Sequence, residues 1–313
     1  GYGPNLGPLV VSGTVWQVPD RARGDDLYQL LGSCVVPSPR RAAEQGAASL
    51  VIGDSKRLYQ PGGGLRHLER GLLATLALLN RQPTTWREMW DALSAESTDR
   101  PPSVPWYDGY DGPVPVDADP AQIPSLVGTL RAALAASGVG LIELRSTAVF
   151  PEEFNRLVEH HGTKGAALSH TTLALVAALM APLPEGPISI VCDKHGGRNR
   201  YLALLTDHFP EHFIEIHGES RARSVYRFGP QERHVEIRFQ TKAESHLPAA
   251  LASMASKYLR ELAMRALNAF WCRRVEGLRP TAGYPQDAKR FNAEIAAVQA
   301  ELGIDDRLLW RAR

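Results

Sequence analysis

The most constraining feature of the chain is a short apolar run, Ile188-Ser189-Ile190-Val191-Cys192, that stops abruptly at Asp193-Lys194-His195-Gly196-Gly197. A strand that reads apolar on both faces has to be covered on both, which places it in a sheet with helices packed above and below. Other strand-type runs are Leu9–Val18, Gly140–Val149 and three short segments after Pro210, FIEIHGES, SVYRFG and HVEIRFQT. Between them the apolar spacing is helical: Leu65, Leu68, Leu72, Leu73, Leu76 and Leu79 share a broad face, as do Leu251, Met254, Tyr258, Leu262 and Ala266. Further helices are predicted over Ser125–Ser137, from Pro151, over Thr171–Met180 and over Asp287–Leu302. Ser49–Gly53 is too brief to classify. Strands alternating with helices predict an α/β fold with a sheet of mixed strand directions.

One stretch changes character. Thr84–Pro124 holds Trp86, Trp90 and Trp106 but is dense in Pro, Gly and Asp, and reads as a loop-rich insertion rather than a packed element. The expected organisation is a single domain over 1–313, with this insertion at about 84–124 and a helical C-terminal part at about 248–313. The 313 residues are 44% hydrophobic and 22% charged, which excludes general disorder. Cys34, Cys192 and Cys272 lie far apart with no CxxC pair, which argues against a disulfide framework or a cysteine-rich zinc site and suits a cytoplasmic protein. No apolar run is long enough to cross a bilayer, so no membrane association is expected. The net charge of +1 hides an asymmetry: from Arg221 onward 17 Lys and Arg face 10 Asp and Glu. A basic third fits a phosphate-rich partner, and it equally fits solvated helix surfaces.

Several local patterns are candidates for chemistry. The N-terminal GYGPNLGP has the wrong spacing for a dinucleotide loop and is followed by a strand, which leaves a tight turn that a ligand can approach closely. Asp54-Ser55-Lys56 sets an acid, a hydroxyl and a cation together, suited to phosphate contact. Neither it nor Gly162-Thr163-Lys164 has P-loop spacing. Asp193 ends its strand and Glu244 follows the last β-run; their competing readings are a turn or helix cap and helix N-terminal charge complementarity. Two carboxylates at neighbouring strand ends suit Mg²⁺, which takes few protein oxygens and keeps water and phosphate ligands. Pro210 spoils a helical pair of His208 and His212, His160-His161 reads as helix surface, and Cys192 reads as a buried thiol. Tyr284 in Gly283-Tyr284-Pro285 is either a turn aromatic or a platform for a sugar or base.

In order, these pieces resemble type 2 ribonuclease H (ribonuclease HII). Gly1-Tyr2-Gly3-Pro4-Asn5-Leu6-Gly7-Pro8 with its following strand is similar to the family's Gly-Arg-Gly-Pro opening, and Asp54-Ser55-Lys56 to its Asp-Ser-Lys. Asp193 stands at its strand-end acid. Lys242-Ala243-Glu244 followed by Leu251-Ala252-Ser253-Met254-Ala255-Ser256-Lys257 is similar to its Lys-Ala-Asp and Ala-Ala-Ser-Ile-x-Ala-Lys helix, and Gly283-Tyr284-Pro285-Gln286-Asp287 to its Gly-Tyr-Pro-x-Asp. The resemblance skips about Thr84–Pro124 and the β-run near Glu219–Phe228.

The resemblance implies a ribonuclease H-like fold, a five-stranded mixed sheet flanked by helices with a helical C-terminal part. It implies a monomeric endoribonuclease that cleaves the RNA strand of RNA–DNA hybrids, including ribonucleotides embedded in duplex DNA, and leaves 5′-phosphate ends. Two Mg²⁺ or Mn²⁺ ions, held by four carboxylates, activate water and stabilise the leaving oxygen. Asp193 and Glu244 are then catalytic metal ligands. Gly1, Tyr2, Gly3 and Tyr284 read the 2′-hydroxyl and its sugar, and Ser55, Lys56 and Lys257 contact phosphate or support the site.

Three departures qualify this. The family's Asp-Glu pair and first central strand, which separates its second strand from its fourth, have no counterpart before Gly1; Glu244 replaces Asp; Tyr2 replaces Arg. They predict a divergent member whose parent begins about ten residues earlier, a typical strand length, and poor activity of the chain as given. Two alternatives stay open: a hybrid-binding module without catalysis, and a fold-related DNA nuclease acting on junctions or ends.

Overall fold

A computed structural model describes residues 3–32, 34–45, 49–59, 64–94 and 100–311. In chain order the elements are β1 (Leu9–Gln17), α1 (Leu27–Leu30), β2 (Val35–Val36), α2 (Pro39–Gln45), β3 (Leu50–Val51), α3 (Ser55–Leu58), α4 (Arg66–Leu78), α5 (Trp86–Leu93) and α6 (Ile123–Ser137). They continue with β4 (Gly140–Val149), α7 (Pro151–His161), α8 (Lys164–Met180), β5 (Ile188–Asp193), α9 (Leu202–His208), β6 (Glu215–Glu219), β7 (Arg223–Phe228) and β8 (Val235–Gln240). The last three are α10 (Leu247–Cys272), α11 (Pro285–Glu301) and α12 (Asp306–Leu309). The protein is mixed α/β.

The strands do not form the single five-stranded sheet expected from the sequence. Among the described residues they make an antiparallel β1–β4 ribbon, a two-residue parallel β2–β3 pair, and a four-stranded sheet in the order β5-β8-β7-β6. In that sheet β5 and β8 are parallel and the other pairings antiparallel. The reason lies in two open edges: β1 pairs only with β4 and β5 only with β8, and no described strand lies between them. With one side unpaired, β5 is half-buried rather than enclosed, contrary to what its apolar run predicts.

Two long helices tie the ribbon to the larger sheet. Leu173 on α8 belongs to the apolar cluster under β5, β7 and β8, while Leu175 and Leu179 press on β1 at Gly13. A Cβ at Gly13 would sit 2.5 Å from Leu179 Cδ1, so a side chain there would push the end of Leu179 aside. α10 carries the predicted face of Leu251, Met254, Tyr258, Leu262 and Ala266 into the main core. A relay of three hydroxyls fixes it to the ribbon: Ser256 donates to Ser12 at 2.8 Å, and Ser12 lies 2.7 Å from Ser146.

Within the stretch 84–124 the described residues, 84–94 and 100–124, are loop-rich after α5 but send several aromatic side chains into the core. Thr85 and Glu88 form a capping box that starts α5, and Trp86, Trp90, Trp106 and Tyr107 are all buried. Trp86 Nε1 donates to the Leu262 carbonyl on α10 at 3.1 Å. The Pro/Gly/Asp-rich part that follows is held from inside by Glu69 of α4, which is fully buried. Its Oε1 accepts from Val116 N at 2.5 Å and the Tyr258 hydroxyl at 2.8 Å, and its Oε2 from Asp117 N at 2.8 Å and Ala118 N at 2.7 Å. A loop that lacks internal pairing satisfies its backbone on a side chain instead.

Candidate functional site

Parallel strands β5 and β8 end side by side, with Asp193 level with Gln240. After Gln240 the chain turns through Lys242, whose φ of 59° is left-handed, into a short 3-10 turn, Ala243–Ser245, and then α10. That turn brings Glu244 next to the β5 end: the amide of Ala243 points at Asp193 Oδ1 at 3.5 Å. Asp193 is exposed and Glu244 half-buried, and among the described residues neither forms an ion pair. The two carboxylates expected to act together thus lie on adjoining segments.

The remaining motifs meet along one stripe of α10, at Ser253, Lys257, Arg260 and Met264. These positions are spaced i, i+4, i+7, i+11, which is one face of a helix. Asp54 caps α3 by accepting from Lys56 N at 2.9 Å, which turns Ser55 inward so that its Oγ meets Ser253 Oγ at 2.8 Å. Next to it, Gly53 N points at Met254 Sδ at 3.4 Å. The Lys56 side chain is exposed. One turn on, Lys257 Nζ pairs with Glu261 at 2.7 Å and lies 4.4 Å above the Tyr59 ring, where a cation faces the negative π surface. Burial, with Glu261 adding to it, pushes the Tyr59 phenol up to about 12.

Arg260 joins two more segments. It is buried, pairs with Glu261 at 3.3 Å, and donates to the carbonyls of Leu6 at 3.4 Å and Ala282 at 2.7 Å. Its guanidinium lies 5.6 Å from the Tyr284 ring, which leaves 51% of that residue exposed. The carbonyl of Gly283 accepts from Asn5 N at 2.8 Å and Leu6 N at 3.3 Å, stapling the N-terminal loop to the Gly-Tyr-Pro turn. Gly283 has φ 79°, and a Cβ there would come within 2.9 Å of the Leu6 carbonyl. From the other side Arg311 N donates to Asn5 O at 2.8 Å, and its Nε to Pro4 O at 3.0 Å. Gly3 is exposed beside this loop, while Gly1 and Tyr2 lie outside the described residues.

The site is therefore a track rather than a pocket. From the start of α10 to Lys257 is about 15 Å and to Arg260 about 20 Å, at 1.5 Å per residue. Acidic groups stand at its β5 end, and cations with an exposed aromatic ring at the other. Tyr59 and Arg260 were not among the sequence candidates, and Ser253 entered only as part of the motif on α10. The four- and seven-residue spacings leading from Ser253 were there to find, but Tyr59 takes its meaning only from the fold of α3 onto α10.

The other candidates take structural places. Gly162, at φ 79°, ends α7 and Thr163 caps α8. Burial, with Asp193 beside it, pushes the Cys192 thiol up to about 12, which leaves it inert as a nucleophile. His208 Nε2 meets His170 Nδ1 at 3.1 Å and His212 pairs with Glu211, so these two do not act as a pair. Directly after the site, His195 packs against Tyr201 and Phe239, and burial holds its imidazole down at about 4.

The donor chemistry at Asp193 and Glu244 suits one hard divalent cation that keeps water and phosphate oxygens as its other ligands. Among the described residues no group of three or more His, Cys, Asp or Glu is placed to hold a metal. Among the described residues no helix is long and apolar enough to cross a membrane. No family model, no curated protein and no solved structure matches the chain.

Proposed function

We propose that this chain is a ribonuclease H-like phosphodiesterase of the type 2 class, acting on ribonucleotides in RNA–DNA hybrids or embedded in duplex DNA. The observation that carries the reading is the convergence of four motifs distant in sequence: the N-terminal loop, Asp54-Ser55-Lys56, Ser253 to Lys257 and Gly283-Tyr284 gather along α10. The carboxylates Asp193 and Glu244 stand at the head of the same helix.

In this reading Asp193 and Glu244 hold a divalent ion, Mg²⁺ or Mn²⁺, which when bound lowers the pKa of water and offsets charge on the phosphate. Lys56 is free to reach a phosphate, and Lys257 keeps Glu261 and Tyr59 in place. Tyr284 offers an exposed ring to a sugar, and the loop it is stapled to offers backbone to a 2′-hydroxyl, the group that separates RNA from DNA. β1 pairs only with β4 and β5 only with β8 among the described residues, and α10 packs on both strands, an arrangement compatible with a divergent ribonuclease H-like sheet.

The test is a duplex with one embedded ribonucleotide, incubated with the protein and Mn²⁺ or Mg²⁺ beside the same duplex made wholly of DNA. Cleavage at the ribonucleotide alone is expected; equal cleavage of both removes the 2′-hydroxyl assignment and favours a DNA nuclease. A second reading, a hybrid-binding module without catalysis, is favoured by the short carboxylate set, and tight binding with no cleavage in either metal would select it.

A further inference from the structure

The β6–β7 hairpin has no part in the track along α10, yet its tip is built onto the same edge of the sheet as the two carboxylates. In the order β5-β8-β7-β6, the end of β5 and the end of β8 lie level with the start of β7, where Arg223 pairs with Gln240. Thr241 N donates to the Ala222 carbonyl at 3.0 Å, so the tip residues lie directly against the turn that carries Glu244. Two strand spacings, about 10 Å, separate Asp193 from Arg223 across the sheet.

The loop after Asp193 is locked to this tip. Lys194 Nζ donates to Ser220 O at 2.7 Å and Ser224 Oγ at 2.9 Å, and its third N–H is shared between Asn199 Oδ1 at 3.2 Å and Arg198 O at 3.3 Å. Ser224 Oγ in turn donates to Asn199 O at 2.6 Å. Spending one lysine entirely on this bracing sets two arginine pairs, Arg198 with Arg200 and Arg221 with Arg223, on neighbouring rigid turns. Arg200, Arg221, Arg223 and Lys242 are exposed and Arg198 is half-buried. Among them the structure pairs only Arg200 with an acid, Glu219 at 3.8 Å with the arginine 90% exposed, a contact that contributes little in water.

We infer that the hairpin tip and the loop after Asp193 form a phosphate-backbone grip that holds a nucleic-acid duplex beside the carboxylate pair. Several exposed cations carried on braced turns, one to two phosphates away from the acids, fit a partner whose negative charges repeat at regular spacing. The grip deepens the function proposed above and rests on it for its duplex, but makes its own demand: it reads charge, not the 2′-hydroxyl, so it holds DNA and hybrid duplexes alike.

The experiment is fluorescence anisotropy of a labelled RNA–DNA hybrid and of the matching DNA duplex, without divalent metal, across a salt titration. Wild type is compared with R221E/R223E, with the milder R221Q/R223Q, and with R131E/R307E, which carries the same charge change on α6 and α12. The expected result is at least tenfold weaker binding of both duplexes by the R221E/R223E protein, and a salt slope about 2 smaller for R221Q/R223Q, close to one unit for each lost phosphate contact. Unchanged affinity in both tip variants, equal loss in R131E/R307E, or no binding of either duplex by wild type overturns the inference. Cleavage of the hybrid in Mn²⁺ is scored on the same samples. Tip-dependent binding with no cleavage leaves the grip standing and removes the hydrolase, whereas cleavage with tip-independent binding does the reverse.

Discussion

Glu69 should be the most costly single carboxylate to neutralise in the fold. Its two oxygens divide four donors evenly, Val116 N and the Tyr258 hydroxyl on Oε1, Asp117 N and Ala118 N on Oε2. Glu69→Gln keeps the shape and settles with its amide nitrogen on the Oε1 side, where the Tyr258 hydroxyl turns to accept and Val116 N alone is left facing a donor. A buried donor left without an acceptor costs about 1–3 kcal/mol, which is the loss predicted. Against a total of about 5–15 kcal/mol for an ordinary domain, that is a large share. Urea unfolding followed by tryptophan fluorescence reads it directly, because Trp86, Trp90 and Trp106 are buried in the region that Glu69 secures. A loss below about 1 kcal/mol, smaller than the cost of one unsatisfied donor, would show that the segment 116–118 is held by something else.

Further outcomes follow from the same geometry. The imidazole of His195 titrates at about 4 rather than 6.5 because burial, aided by Arg198, disfavours its charged form. Its stabilising neutral state is fully present above pH 6.5 and is lost as pH falls through 4, a contribution of about 3 kcal/mol at 1.36 kcal/mol per unit; His195→Gln should flatten the melting temperature over that window, and an unchanged pH profile would contradict it. Gly283→Ala forces a side chain into a left-handed φ of 79° and against Leu6, so it should cost about 1–3 kcal/mol in urea unfolding, and no cost would mean the staple to the N-terminal loop is slack. Tyr284→Ala should leave the melting temperature within about 1 °C, since the ring is half exposed. The same change should slow ribonucleotide cleavage about tenfold or more, the loss of one stacking contact, with Tyr284→Phe close to wild type; full activity in the Ala variant removes the ring from substrate contact.

The elements that a reader of the sequence recovers are those with strong local signals. The stripe of Leu251, Met254, Tyr258, Leu262 and Ala266 gives α10 to within a residue or two, and the alternation in HVEIRFQT gives β8. Two readings fail for a physical reason. Pro, Gly and Asp report local backbone preference, so residues 116–118 look like open loop, whereas their amides are held by Glu69, 47 residues from Val116 in the chain and itself bonded by Tyr258. Likewise the apolar run at Ile188–Cys192 shows what a strand would bury if it had neighbours on both sides, not that one side is open. Of the site, the charged ends Asp193 and Glu244 and the turn residue Tyr284 stand out as residue types, but the part played by Arg260 is hidden, because an arginine inside a helix reads as surface until Leu6 and Ala282 close over it.

The central claim is that Asp193 and Glu244 act together on a phosphodiester next to a ribose. Single-turnover reactions with excess protein, Mn²⁺ and an end-labelled duplex containing one ribonucleotide test it, with the product ends identified by phosphatase sensitivity. Slow cleavage at the ribonucleotide leaving a 5′-phosphate, lost in both Asp193→Asn and Glu244→Gln while folding and duplex binding persist, is the result predicted. Cleavage by either variant at the wild-type rate, or a folded wild-type protein that leaves the duplex intact, would contradict it.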